Sequence, residues 1–225
     1  MRSDLQEIYR RLLSAFGRQH WWPAQTPFEV MVGAILTQNT AWTNASKAIL
    51  RLKGEKVLGP TQLEKIHQGR LARLIRPSGY FHQKARRLKV FVSYLQLIHK
   101  GSLARMRSVP LDRLREELLQ LWGIGPETAD SILLYALGKP IFVVDAYTRR
   151  VLARHSLISW DASYDEIQAL FMRNLPRLPS LFNEYHALLV AVGKELCMSH
   201  PKCHRCPLRD IGQLRLETTP ADPTT

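Results

Sequence analysis

The chain reads as all-α, on three observations. Apolar residues recur at the spacing of a helix face, as at Leu5, Ile8, Leu12, Leu13 and Phe16. Glycine and proline fall between such stretches and punctuate them, as at Gly59-Pro60 and at Gly138 and Pro140. No alternating polar and apolar run suggests a strand ladder.

A length of 225 residues suits one large or two small domains, and a hydrophobic share of 45% is ordinary for a globular chain. The formal net charge of +13 favours a polyanionic partner, either nucleic acid or an anionic membrane surface. The membrane reading is the weaker one, because no apolar run approaches the roughly 20 residues a spanning helix needs. The N-terminus carries charges throughout and lacks an apolar signal core, so a soluble cytoplasmic protein is expected. Three cysteines sit within ten residues near the C-terminus. Such a cluster in a cytoplasmic chain suggests a metal site more than a disulfide framework.

Residues 4–17 form the first amphipathic helix, ended by Gly17. His20-Trp21-Trp22-Pro23 is extended, since the residue before a proline avoids the α region; its tryptophans would also serve as a staple on the next helix. Residues 28–36 are an apolar helix buried on most sides. Thr37-Gln38-Asn39-Thr40 is a polar kink able to cap helices, with Ala41-Trp42 just beyond it. Residues 43–53 continue as helix, and 61–67 form another with Thr61 and Glu64 as a capping box. Residues 71–76 follow, then a tight turn at Gly79. The next helix carries Lys84, Arg86, Arg87 and Lys89, either as a solvated face or as phosphate contacts, and packs through 90–98. Residues 101–109 are a loop with Arg105 and Arg107.

The chain is organised around residues 121–150. A helix over 111–121 stops at Gly123, Ile124 and Gly125 make the turn, and Pro126 opens a second helix that runs to about Leu137. This is a helix-hairpin-helix. Its glycines bring backbone N–H groups to the surface at a helix start, which makes an anion site suited to a phosphate, and Thr128 adds a hydroxyl. Two glycines alone are more commonly an ordinary turn between helices. The apolar run 141–144 then delivers Asp145 as the N-cap of a helix through His155 that bears Arg149, Arg150 and Arg154. Helices over 164–174 and 180–197 complete the series. His186, on the last of them, is expected as a core or capping histidine and not as a ligand. Residues 217–225 are polar and proline-containing, and are expected to be disordered.

The succession L-x-G-I-G-x-x-T-A, apolar run, V-V-D resembles the helix-hairpin-helix (HhH-GPD) DNA glycosylases of the endonuclease III type. The resemblance places the catalytic aspartate on Asp145 and the hairpin contacts to DNA on Gly123, Ile124, Gly125 and Thr128. In L-T-Q-N-T, Gln38 falls on the residue that enters the duplex, with Asn39 beside it, and fills the gap left by an extruded base. W-W-P before that helix, an aromatic after T-Q-N-T, and R-P-S-G-Y-F-x-Q-K-A resemble the 3-methyladenine branch. There the aromatics that sandwich the flipped base fall on Trp22 and Trp42. Of the cations on the following helix, Lys84 is expected to contact DNA because the chain is strongly basic. An electron-rich indole attracts a positively charged alkylated purine by roughly 0.5 to 2 kcal/mol, which suits that substrate.

The resemblance implies a six-helix module over 28–140, a second module from 1–27 plus 141–216, and an active-site cleft between them. It implies double-stranded DNA with a damaged base as partner, no membrane, a monomer, and a cytoplasmic, nucleoid-associated location. Family members that also cut the strand carry a lysine where this chain has Glu127. A carboxylate cannot form the Schiff base that a lyase needs. A monofunctional N-glycosylase is therefore expected; the alternatives are a bifunctional glycosylase/lyase on oxidised pyrimidines and a non-catalytic DNA-binding relative. Cys197, Cys203 and Cys206 resemble the family's [4Fe-4S] loop, C-x6-C-x2-C-x5-C, but the first gap is one residue short and the fourth position is Gly212. A cluster with an unusual fourth ligand, a small metal such as zinc, and no metal at all stay open.

Overall fold

The computed structural model describes residues 1–212, and every regular element among them is helical, as expected. The tail expected to be disordered lies outside the described residues. Contacts divide the described residues into two units: Trp22–Lys139, and Met1–Trp21 together with residues 140–212. Among the described residues no helix is long and apolar enough to cross a membrane.

In the Trp22–Lys139 unit, α2 (Pro27–Leu36) is the central element, and its residues from Phe28 to Leu36 are buried. Thr26 caps it by accepting the Glu29 N–H at 3.1 Å, with Pro27 in the first turn where no N–H is needed. Around it pack α3 (Trp42–Gly54), α6 (Phe81–His99), α9 (Pro126–Ser131) and the π-helical turn Ile132–Ala136. Two short helices, α4 (Pro60–Lys65) and α5 (Gln68–Leu74), lie against α6.

The expected capping box at Thr61 does not form. Pro60 already occupies the first turn of α4, so the N-cap moves back to Gly59, which has no capping side chain. The stretch expected as a loop contains α7 (Leu103–Ser108), because the Ser102 hydroxyl accepts the Arg105 N–H at 3.3 Å and starts a turn. The first hairpin helix, α8 (Leu111–Leu119), is joined to α9 by a bidentate pair between Arg115 and the buried Asp130, at 2.8 and 3.2 Å. The hairpin's second helix does not stay α to its end. It widens into the π turn before Gly138, at φ 67, stops it.

In the other unit α1 (Arg2–Phe16) buries Leu5, Ile8 and Leu12, and ends at Gly17 with φ 68. It packs on α11 (Tyr164–Asn174) and α12 (Pro179–Glu195), while α10 (Ala146–Arg154) packs on α12. The core is aromatic: Phe142 stacks on Phe171 with centroids 3.7 Å apart, and Phe182 and Tyr185 meet Phe142 edge-on. Burying Ile141–Val144 in this core fixes the segment that ends at Asp145.

Candidate active site

Asp145 is the N-cap of α10, and its Oδ1 accepts the Thr148 N–H at 2.7 Å. Its Oδ2 faces Nε2 of His186 at 3.5 Å, with the carboxylate side chain 14% exposed. Burial works to raise the Asp145 pKa. The His186 imidazole and the hydrogen bonds from Thr148 outweigh it and hold the carboxyl below its ordinary value. The positive end of α10 acts in the same direction. The group is thus an ionised carboxylate at neutral pH, suited to stabilising positive charge. His186 is buried in the core as expected, and its Nε2 is turned to Asp145, a contact the sequence did not announce. Nothing in the sequence pairs residues 145 and 186, which come together only when α10 and α12 pack.

In the Trp22–Lys139 unit, the hairpin turn has Gly123 at φ 81, where a Cβ would lie 2.6 Å from the Arg87 side chain. Gly123 and Gly125 are exposed. Ile124 is not: its side chain is buried and its N–H bonds to Leu121 O at 3.0 Å, so it anchors the turn from within. Thr128 is buried as well, and its hydroxyl accepts the Gln38 side-chain N–H at 2.9 Å. The same Gln38 nitrogen donates to Gly123 O at 2.9 Å, and Arg87 donates to Gln38 Oε1. Gln38 is therefore docked on the hairpin. Asn39 is the exposed tip of its turn, in the left-handed region at φ 49.

Lys84 is a correction to the expected DNA contacts. It is fully buried, and its ammonium donates to Leu36 O at 2.8 Å and Ser78 O at 2.6 Å. It caps the carbonyl end of α2 from inside the fold, out of reach of a phosphate. Burial lowers its pKa to about 8. Of its neighbours, Lys89 closes the end of α4 through the carbonyls of Leu63, Glu64 and Ile66. Arg86 lies over the exposed Trp122 ring at 4.1 Å.

The two tryptophans expected to sandwich a base do come together, but not as two walls of a slot. Trp22 and Trp42 meet edge to face, centroids 5.2 Å apart at 88°, and both rest on the bare backbone of Gly33 in α2. A stacked base would need two parallel rings about 7 Å apart, roughly twice the contact distance of carbon atoms. Trp22 also leans on Tyr135, centroids 5.3 Å apart. Tyr135 escaped the sequence reading because it sits within an apolar run; the π turn that carries it is the kind of helix defect that gathers at functional sites.

The cysteine loop does not fit a four-thiolate cluster. Gly212, at the family's fourth position, has φ 63, and a Cβ there would lie 2.2 Å from His155 O. A side chain there would strain the turn and force its backbone to shift. Cys197, Cys203 and Cys206 line a cavity of about 10 Å³, room for one water. Arg154 donates to Cys197 Sγ at 3.4 Å and to Met198 O at 2.5 Å, and His155 Nδ1 meets Ile211 O at 2.8 Å. Burial pushes the Cys206 thiol up. Among the described residues no group of three metal-ligating side chains is arranged to hold an ion.

Comparison with known proteins decides the family. The pattern described as "HhH-GPD superfamily base excision DNA repair protein" matches residues 32–177, more than half of the chain. The chain belongs to the HhH-GPD superfamily of DNA glycosylases. It is 44% identical over 209 residues to a provisionally named DNA repair glycosylase of Methanocaldococcus jannaschii, covering 92% of this chain and 94% of that one. It is 30% identical to endonuclease III of Thermotoga maritima over 92% and 91% of the two chains. Its structure resembles the H. pylori 3-methyladenine DNA glycosylase MagIII bound to 1,N6-ethenoadenine, with a TM-score of 0.72 and 28% identity over 85% of this chain and 97% of that chain. HhH-GPD membership makes this chain a DNA glycosylase of base excision repair, and relatives solved with DNA support binding to DNA.

Proposed function

We propose that the chain is a monofunctional DNA N-glycosylase that extrudes an alkylated, 3-methyladenine-like base from double-stranded DNA and hydrolyses its bond to the sugar. The observation that carries this reading is Glu127, an exposed carboxylate in the first turn of α9 where a strand-cutting relative carries its amine. In the reaction the bond from C1′ to the base nitrogen breaks, and its electron pair leaves with the base. The sugar passes through an oxocarbenium-like state, which the Asp145 carboxylate stabilises. Water then adds its oxygen to C1′ and gives up a proton, for which Asp145 is the acceptor. The exposed hairpin glycines take a backbone phosphate.

The alkyl-base substrate is supported by the aromatic group of Trp22, Trp42 and Tyr135, and by the name of the H. pylori relative. An alkylated purine is cationic, so indole and phenol faces favour it over neutral purines. Its entry requires the two indoles to leave their edge-to-face contact.

The test is a panel of duplexes, each with one lesion, scored for base release and for strand breaks with and without alkali. Release of methylated purines with breaks only after alkali is expected. Breaks without alkali, together with a borohydride-trapped adduct on oxidised pyrimidines, would establish the bifunctional alternative.

A further inference from the structure

Asp145 is held on one side only by its own helix. The Thr148 N–H fixes Oδ1, but rotation about the last side-chain bond of an aspartate is soft, so one hydrogen bond does not set the plane of the carboxylate. The second oxygen meets one cationic or hydrogen-bonding side chain from another element, His186 of α12. That ring is buried and lies edge-on to Phe142, centroids 6.3 Å apart, in the aromatic core. Phe142 is also three residues before Asp145 on the buried segment that delivers it. One wall of packed rings therefore locates both the carboxylate and its partner.

We propose that His186 is a positioning residue for the glycosylase reaction: through Nε2 it fixes the orientation of Oδ2 of Asp145, and so the plane of the carboxylate. The contact of 3.5 Å is longer than a good hydrogen bond, and resting enzymes commonly tighten such contacts when substrate binds. The inference rests on Asp145 being the group that acts on the sugar.

The test separates the two claims. Asp145→Asn, His186→Leu and His186→Gln are compared with the wild type. The single-turnover rate is measured on whichever lesion the wild type releases, affinity on a duplex with a tetrahydrofuran abasic analogue, and stability by thermal melting. The imidazole nitrogens are followed by NMR in the free wild type and in Asp145→Asn. Expected is a rate about tenfold to a hundredfold lower in His186→Leu, with affinity within about twofold. Partial recovery is expected in His186→Gln, which keeps a donor. The His186 Nε2 resonance should move in Asp145→Asn. A wild-type rate in both His186 variants, a loss confined to affinity or melting, or an unmoved Nε2 resonance overturns the proposal. An Asp145→Asn enzyme of full activity removes its foundation, and is told apart because it fails before His186 is touched.

Discussion

The side-chain amide of Gln38 donates to the hydroxyl of Thr128 at 2.9 Å, which bolts the polar turn after α2 to the second helix of the hairpin. Gln38 is thus held in the resting protein by Thr128, by Gly123 O and by Arg87, and under the proposed function it would have to leave these bonds to enter a duplex. Thr128→Val keeps the shape of that buried side chain and removes the acceptor. It should lower stability by about 1 kcal/mol, read in urea melts, because the amide loses one of two acceptors. Affinity for lesion DNA, read by fluorescence anisotropy, should not fall, since Gln38 has one bond fewer to release.

Lys84 predicts a pH effect of definite sign. Its pKa in the folded chain is about 8, below the ordinary 10.5. Between those values the unfolded chain holds a proton that the folded chain has released, so stability rises with pH. The gain is up to about 3 kcal/mol, at 1.36 kcal/mol per unit. Lys84→Met should be less stable throughout, because two buried carbonyls lose their donor. It should also lack this rise. Chemical denaturation of both proteins at pH 7.5, 9 and 10.5 gives the comparison, and the difference isolates Lys84 from other groups that titrate there.

The cysteine loop makes a prediction about metal. If the missing fourth thiol were the only obstacle to a [4Fe-4S] cluster, Gly212→Cys would restore one. The backbone says otherwise: the new Cβ would meet His155 O at 2.2 Å, in a left-handed conformation that a side chain resists. Gly212→Cys should melt at a lower temperature than the wild type. After anaerobic reconstitution with iron and sulfide it should show no more cluster absorbance than the parent.

The sequence carried the helices and the N-cap position of Asp145, because both rest on local rules. Residues 4–17 keep a helical period, and Gly17 ends the helix as the sequence suggests. Asp145 follows a buried apolar run and caps α10. What stayed hidden depends on packing between elements distant in the chain. Lys84 reads as one of four surface cations, yet only the end of α2 decides that it points inward. His186 reads as a core histidine until α12 lies on α10. Trp22 and Trp42 read as a pair, but nothing local fixes the angle between their rings.

The last prediction concerns Glu127. The residue sits at the second position of α9, near the positive end of the helix, where a carboxylate is favoured by about 0.3 to 1 kcal/mol. Glu127→Lys puts an amine at the position where strand-cutting relatives of the resembled family carry theirs. The same helix end disfavours an ammonium, which lowers the lysine pKa and raises the share of free amine at neutral pH. The variant should lose a few tenths of a kcal/mol of stability and gain a borohydride-trappable adduct with DNA from which it releases a base. The wild type should give none. An adduct in the wild type would mean that another lysine already serves, and no adduct in the variant would mean that the hairpin does not bring residue 127 to the opened sugar.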